Sequence, residues 1–196
     1  MPFSSSFPVT WRLLATACAA FVPALAAAAS ATHCQADERP YFSCVAGKKT
    51  VSLCGAVSAG GISKLTYRYG KPGKVELEFA ATSASAPHFM ATVEPDSPRA
   101  KVSEVWFDRG EFRYLLHTCE GGDCPYDAGL AVLRGQRLLS NARCQRDADA
   151  VDIFSTDLVE FGDSTDTSKS HTKLLEIGDY TNSIDRLYPI PAKAYP

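Results

Sequence analysis

Between residues 41 and 79, apolar and polar side chains alternate in a way that only β-strands can sort onto two faces. Leu65, Tyr67 and Tyr69 alternate with Lys64, Thr66 and Arg68, and Val75, Leu77 and Phe79 alternate with Lys74, Glu76 and Glu78. Gly70-Lys71-Pro72-Gly73 between these runs predicts a turn, because glycine tolerates positive φ and proline fixes its own. Opposite charges on the polar face can pair across the strands, each worth about 0.2–1 kcal/mol. Upstream, residues 41–45 and 50–54 flank the turn-forming Ala46-Gly47-Lys48-Lys49. An odd-residue loop there sets Cys44 opposite Cys54, with Cα atoms about 4.5–5.5 Å apart, a separation that a disulfide accepts.

The same grammar continues downstream. A strand is expected over residues 88–94, between two proline-containing loops. Residues 101–107 and 112–119 predict a hairpin around Asp108-Arg109-Gly110-Glu111. Residues 127–133 and 137–144 predict another, turning at Gly135-Gln136. The expected fold class is therefore all-β: a mainly antiparallel sandwich or barrel of about eight to nine strands, tied by disulfides. Past Cys144 the pattern changes. Val151, Phe154, Leu158 and Val159 are spaced for a short helix over residues 148–160, packed on the sheet. A polar Ser/Thr/Asp-rich stretch follows, then a short strand or helix over 173–180 and a proline-rich tail over 188–196.

Residues 1–31 read as a secretory signal peptide. Arg12 is their one charged residue, an alanine-rich apolar run covers 13–29, and Ala29-Ser30-Ala31 offers a cleavage site before Thr32. The alternatives are a retained membrane anchor, opposed by Pro23 and the weak hydrophobicity of the run, and lipidation at Cys18, which lies mid-run behind a poor lipobox. Cleavage leaves 165 residues, enough for one β domain over 32–145 and an acidic extension over 146–196 that packs partly on it and has mobile parts. The mature chain carries 19 basic and 22 acidic residues. A net charge of −3 implies neither nucleic acid nor a membrane surface as partner. The expected location is periplasmic or secreted, with no stable membrane span after cleavage.

Six cysteines remain: Cys34, Cys44, Cys54, Cys119, Cys124 and Cys144. An even number behind a signal peptide points to disulfides. The expected pairs are Cys44–Cys54, Cys119–Cys124 around a four-residue loop, and Cys34–Cys144 joining the start of the domain to its last strand. A metal set of Cys119, Cys124 and His117 lacks CxxC spacing.

Catalytic constellations are thin. Gly162-Asp163-Ser164 resembles the Gly-Asp-Ser block of the SGNH hydrolases, whose serine is the nucleophile. That family carries the block on the first strand of an α/β fold with a late Asp-x-x-His. Here it follows the last expected strand, and the late His171 is preceded by Thr167-Ser168-Lys169-Ser170. His117 and Cys119 share a strand face, but the cysteine is assigned to a disulfide. His33 and His88 read as solvated, Glu76 and Glu78 as a solvated face beside Lys74, and the aromatics Tyr67, Tyr69, Phe79, Phe112 and Tyr114 as core. No phosphate loop, EF-hand or other cofactor motif is present, so no cofactor or metal is expected.

The run YFSC…SLCG…YRYGKPGKVELEF resembles a group of small secreted proteobacterial proteins of uncharacterised function, over about residues 41–144. More broadly, a signal peptide followed by short disulfide-tied strands is similar to the bacterial periplasmic lysozyme inhibitors, β proteins that push a Ser/Gly loop into the lysozyme cleft. That resemblance implies a binding loop at Ser58-Ala59-Gly60-Gly61-Ile62-Ser63, with Ser58, Gly60, Gly61 and Ser63 as its contact residues. The loop lacks the tyrosine that the inhibitor motif carries a few residues on. The functional expectation is a non-enzymatic, inhibitor-like binding protein whose partner is another envelope or extracellular protein. The alternatives are a secreted hydrolase and a structural envelope component.

Overall fold

The computed structural model describes residues 32–59, 61–82, 88–97, 100–121, 124, 127–145, 158–160, 169–170 and 174–177. Nine long strands follow one another: β1 (Glu38–Ala46), β2 (Lys49–Ser58), β3 (Gly61–Lys71), β4 (Lys74–Thr82), β5 (Phe89–Ser97), β6 (Ala100–Arg109), β7 (Phe112–Glu120), β8 (Ala128–Arg134) and β9 (Arg137–Arg143). Three short ones come after: β10 (Val159–Glu160), β11 (Lys169–Ser170) and β12 (Leu175–Ile177). The first four form an antiparallel sheet in sequence order. The second sheet has the order β12-β5-β6-β7-β8-β9, with β12 parallel to β5 and the rest antiparallel; β10 and β11 pair separately.

The two sheets share one core, so the protein is an all-β sandwich. Phe42, Val51, Leu53, Leu65, Tyr67 and Ala81 from the first sheet pack with Phe89, Ala91, Val105, Phe107, Leu116 and Leu130 from the second. At its centre the Phe79 and Phe107 rings stack at 4.1 Å, and Tyr67 meets Phe107 edge-on at 4.9 Å. Such pairs add about 0.5–1.5 kcal/mol each beyond the area they bury. The region after Cys144 contributes to the same core through Leu158, Leu174 and Leu175. Most of the helix expected over 148–160 lies outside the described residues; its last two residues, Val159 and Glu160, are a strand paired to Lys169 and Ser170. The signal segment and the proline-rich tail also lie outside them.

The second sheet is buried on its outer face too. Val102, Trp106, Leu115, Cys119, Ala131 and Leu133 form a second apolar cluster there.

The disulfides correct two of the three expected pairs. The bonds are Cys34–Cys54, Cys44–Cys144 and Cys119–Cys124. Neither Cys44–Cys54 nor Cys34–Cys144 forms, and the reason is loop length. The β1–β2 turn has two residues, Gly47 and Lys48, with Gly47 at φ 66°. Ala46 therefore faces Lys49 and Cys44 faces Val51. Counted from that turn, Cys44 and Cys54 fall on opposite faces of the sheet. Cys44 looks into the sandwich, where the end of β9 delivers Cys144. Cys54 looks outward and meets Cys34.

Three disulfides indicate folding in an oxidising environment, extracellular or periplasmic. Among the described residues, no helix is long and apolar enough to cross a membrane.

Candidate functional site

The expected binding loop is the tip of the β2–β3 hairpin. The last partner of β1 on β2 is Ala56, and the last partner of β4 on β3 is Lys64. Beyond those points Val57 pairs with Ile62 and Ser58 with Gly61, so the tip runs past both flanking strands. A register shift between Ala56 and Val57 marks where it leaves the sheet; such bulges sharpen local twist and re-aim side chains. Ser58 Oγ donates to the Gly61 carbonyl at 3.1 Å, and Ser63 Oγ donates to the Ala56 carbonyl at 3.2 Å. Both serines thus stiffen the turn. Val57 is 53% exposed, while Ile62 is half-buried against the core. Residues 57–63 carry no charge. Of the four expected contact residues, Ser58, Gly61 and Ser63 are exposed and share this tip; Gly60 lies outside the described residues.

A second constellation is a polar row around His117, which the sequence placed only on one strand face with Cys119. Thr92, Glu104, His117, Gly129 and Arg143 stand in register across β5 to β9 on the outer face of the second sheet. Glu104 and His117 are fully buried. The imidazole lies across Gly129 and reaches β9, with Nε2 3.3 Å from Asn141 Oδ1. Burial lowers the His117 pKa to about 4, although the contact with Asn141 favours the charged form. Cys119, two residues along the same face, is bonded to Cys124, so no thiolate is available for the imidazole to activate. The signal for this row was present but indirect. Apolar residues fill both parities of β6 to β8, as in Val105-Trp106-Phe107 and Leu130-Ala131-Val132-Leu133, which means burial on both faces and not a wet side.

A third cluster lies on the outer face of the first sheet. Ser43, Ser52, Arg68 and Glu78 form one cross-strand row. Arg68 is buried; its Nη2 donates to Glu38 Oε1 at 2.9 Å, its Nε to Glu78 Oε2 at 2.9 Å and its Nη1 to the His33 carbonyl at 3.2 Å. The guanidinium holds the Glu38 carboxyl below the usual carboxylate range. Glu38 also lies beside the Cys34 and Cys54 sulfurs, all three potential ligand atoms falling within 4.8 Å of one another. The sulfurs are bonded to each other, which removes the thiolates a metal would need. Likewise, Cys119 and Cys124 are bonded to each other next to His117.

The remaining expectations fall as follows. Glu76 pairs with Lys49 at 2.6 Å and Glu78 with Arg68 at 2.9 Å. His33 and His88, expected to be solvated, are each partly buried; His33 Nε2 sits 3.2 Å from the Gly70 carbonyl and His88 Nε2 3.7 Å from Glu176. Ser164 and His171 lie outside the described residues. No family model, curated protein or solved structure matches this chain.

Proposed function

We propose that this protein is a secreted or periplasmic binding protein that engages another envelope or extracellular protein through the β2–β3 hairpin tip, in an inhibitor-like manner and without catalysis. The observation that carries this reading is the tip itself. It is an uncharged, internally hydrogen-bonded hairpin end that runs beyond both neighbouring strands and displays Val57 to solvent. A stiff loop on a disulfide-tied sandwich loses little conformational entropy on docking, which favours affinity. Fold alone does not fix function, so the reading rests on the tip and not on the sandwich.

The test is capture from an envelope extract, with lysozymes among the candidates, alongside an esterase and glycosidase panel. Val57→Glu and a version with the tip shortened between Ser58 and Gly61 should lose capture by about tenfold or more, the equivalent of about 1.4 kcal/mol. Both variants keep Ile62, so the melting temperature should stay near that of the parent. Turnover abolished by Ser164→Ala would replace this reading with a hydrolase. Capture that survives both tip variants would point to a structural envelope component.

A further inference from the structure

Before β1 begins, residues 32–37 lie as a strap across the outer face of the first sheet. His33 N–H donates to Ser52 Oγ at 3.0 Å, Thr32 Oγ1 lies 3.3 Å from the same hydroxyl, and Arg68 reaches the His33 carbonyl. A tight turn then brings the chain into β1, with Glu38 N–H donating to the Gln35 carbonyl at 3.0 Å and Gln35 N–H to Glu38 Oε2 at 2.8 Å. Beneath the strap the sheet presents polar groups where a sandwich normally has a solvated face. Ser43, Thr50, Ser52, Thr66 and Arg68 are all buried, and the Thr66 hydroxyl has no hydrogen-bond partner among the described residues.

Nothing apolar holds the strap down. Thr32, Gln35, Ala36 and Asp37 are exposed, and His33 and Cys34 are half-buried. Its remaining contacts are part-buried hydrogen bonds, among them His33 Nε2 at 3.2 Å from the Gly70 carbonyl, each of modest net worth and set against the backbone entropy of six residues. The covalent bond from Cys34 to Cys54 is therefore what keeps it closed. This bridge also differs from the other two in its surroundings. Cys44 and Cys144 belong to the main core, and Cys119 and Cys124 to the second apolar cluster, whereas Cys34–Cys54 lies outside both.

We propose that Cys34–Cys54 is a redox-operated clasp: reduction by a dithiol donor releases the 32–37 strap and uncovers the Ser52–Arg68 face, while the sandwich stays folded. One thiolate of the donor attacks the sulfur of Cys34, the half-buried partner of the bridge. The S–S bond breaks, its electron pair leaves on Cys54 Sγ, and that sulfur takes a proton. The donor's second thiol then displaces Cys34. The protein gains two electrons and two protons, and the donor becomes a disulfide. The strap can swing away once its sulfur is free, whereas Cys44, Cys144, Cys119 and Cys124 are held beside their partners by packing and re-form their bonds.

The test is graded reduction of the mature, folded protein with dithiothreitol. Thiols are trapped by alkylation and mapped by mass spectrometry, and hydrogen exchange is read on the same samples. Cys34 and Cys54 should be alkylated at least about tenfold faster than the other four cysteines: each bridge joins a buried to a half-buried cysteine, but only here does the freed sulfur leave with a strap that no apolar cluster holds, while the other two re-close. At that stage a peptide covering residues 32–37 should lose protection while those of β2 and β3 keep theirs. A Cys34→Ser/Cys54→Ser double variant should show the same open strap without reductant. Reduction of all three bridges at one rate, or of either other bridge first, overturns the proposal. So does an exchange pattern over 32–37 that reduction leaves unchanged, a reading available even if the double variant fails to fold.

Discussion

A Cβ atom on Gly129 would stand 2.6 Å from both Cε1 and Nε2 of His117, so the imidazole rests directly on the backbone of the neighbouring strand. Only glycine permits that approach, and the approach is what lets a β7 side chain span β8 and meet Asn141 on β9. Gly129→Ala must either push out a fully buried ring or force β7 and β8 away from each other. A loss of about 1–3 kcal/mol is expected from overpacking, read as a lower urea midpoint with an unchanged slope. An unaltered midpoint would mean that the ring has room to move.

The same histidine gives the fold a pH dependence whose sign is fixed. Free histidine titrates near 6.5, and His117 in the folded protein titrates at about 4. Between those values the unfolded chain binds a proton that the folded one refuses. Stability is thus full above about pH 6.5, falls as the pH drops towards 4, and changes no further from this group below 4. The interval corresponds to about 3 kcal/mol. His117→Gln, which retains a hydrogen-bonding group near Asn141, should flatten this region of the profile. Urea titrations at about pH 7.5 and about pH 4.5, on either side of most of that interval, provide the comparison for both proteins.

Strand identity was legible because alternation and turn chemistry are local. Residues 64–69 and 74–79 form the expected hairpin, with Arg68 facing Glu78 and Tyr69 facing Leu77. What could not be read was parity across a turn. Gly47-Lys48 is a two-residue connection, whereas Cys44 opposite Cys54 requires an odd-residue loop centred on Lys49, and a change of one residue in loop length decides which face each cysteine takes. The burial of Glu104 and His117 was hidden for a different reason. Their alternation with Val105 and Leu116 is the pattern of a wet face, and only the second layer of apolar residues along β6 to β8 signals cover on both sides.

The corrected disulfide map has energetic consequences. Cys44–Cys144 closes a span of 100 residues and joins the two sheets, whereas Cys34–Cys54 closes one of 20. In the loop-entropy description these are worth about 4.7 and about 3 kcal/mol. Cys44→Ala/Cys144→Ala should therefore lower stability more than Cys34→Ala/Cys54→Ala, with a larger drop in melting temperature. The opposite order would show that the strap does more for the fold than its contacts account for.

Tyr67 is a buried tyrosine whose hydroxyl has no hydrogen-bond partner among the described residues. Its ring packs on Phe107, and desolvation raises its pKa. Tyr67→Phe keeps the ring and removes the stranded hydroxyl. The expected result is unchanged stability or a gain of up to about 1 kcal/mol, since an unmet buried polar group costs more than its absence. Tyr67→Ala at the same site should cost about 3–5 kcal/mol, as for other buried aromatic truncations. A marked loss in the phenylalanine variant would reveal a partner for the hydroxyl outside the described residues.

Arg68 and Glu38 give the last test, because each is buried with the other as its main counter-charge; their side chains are 4% and 5% exposed. Arg68→Ala leaves the Glu38 carboxylate in place without its guanidinium and removes the hydrogen bond to the His33 carbonyl. Breaking one half of such a pair typically costs about 3–5 kcal/mol, much of it the penalty on the abandoned charge. Glu38→Ala should cost a similar amount, and the double variant should cost less than the two losses added, because neither charge is then left alone. The three proteins compared by denaturant titration measure that coupling. Strict additivity would show that Arg68 answers chiefly to Glu78, its second partner at 2.9 Å, and that Glu38 is held by the Gln35 turn alone.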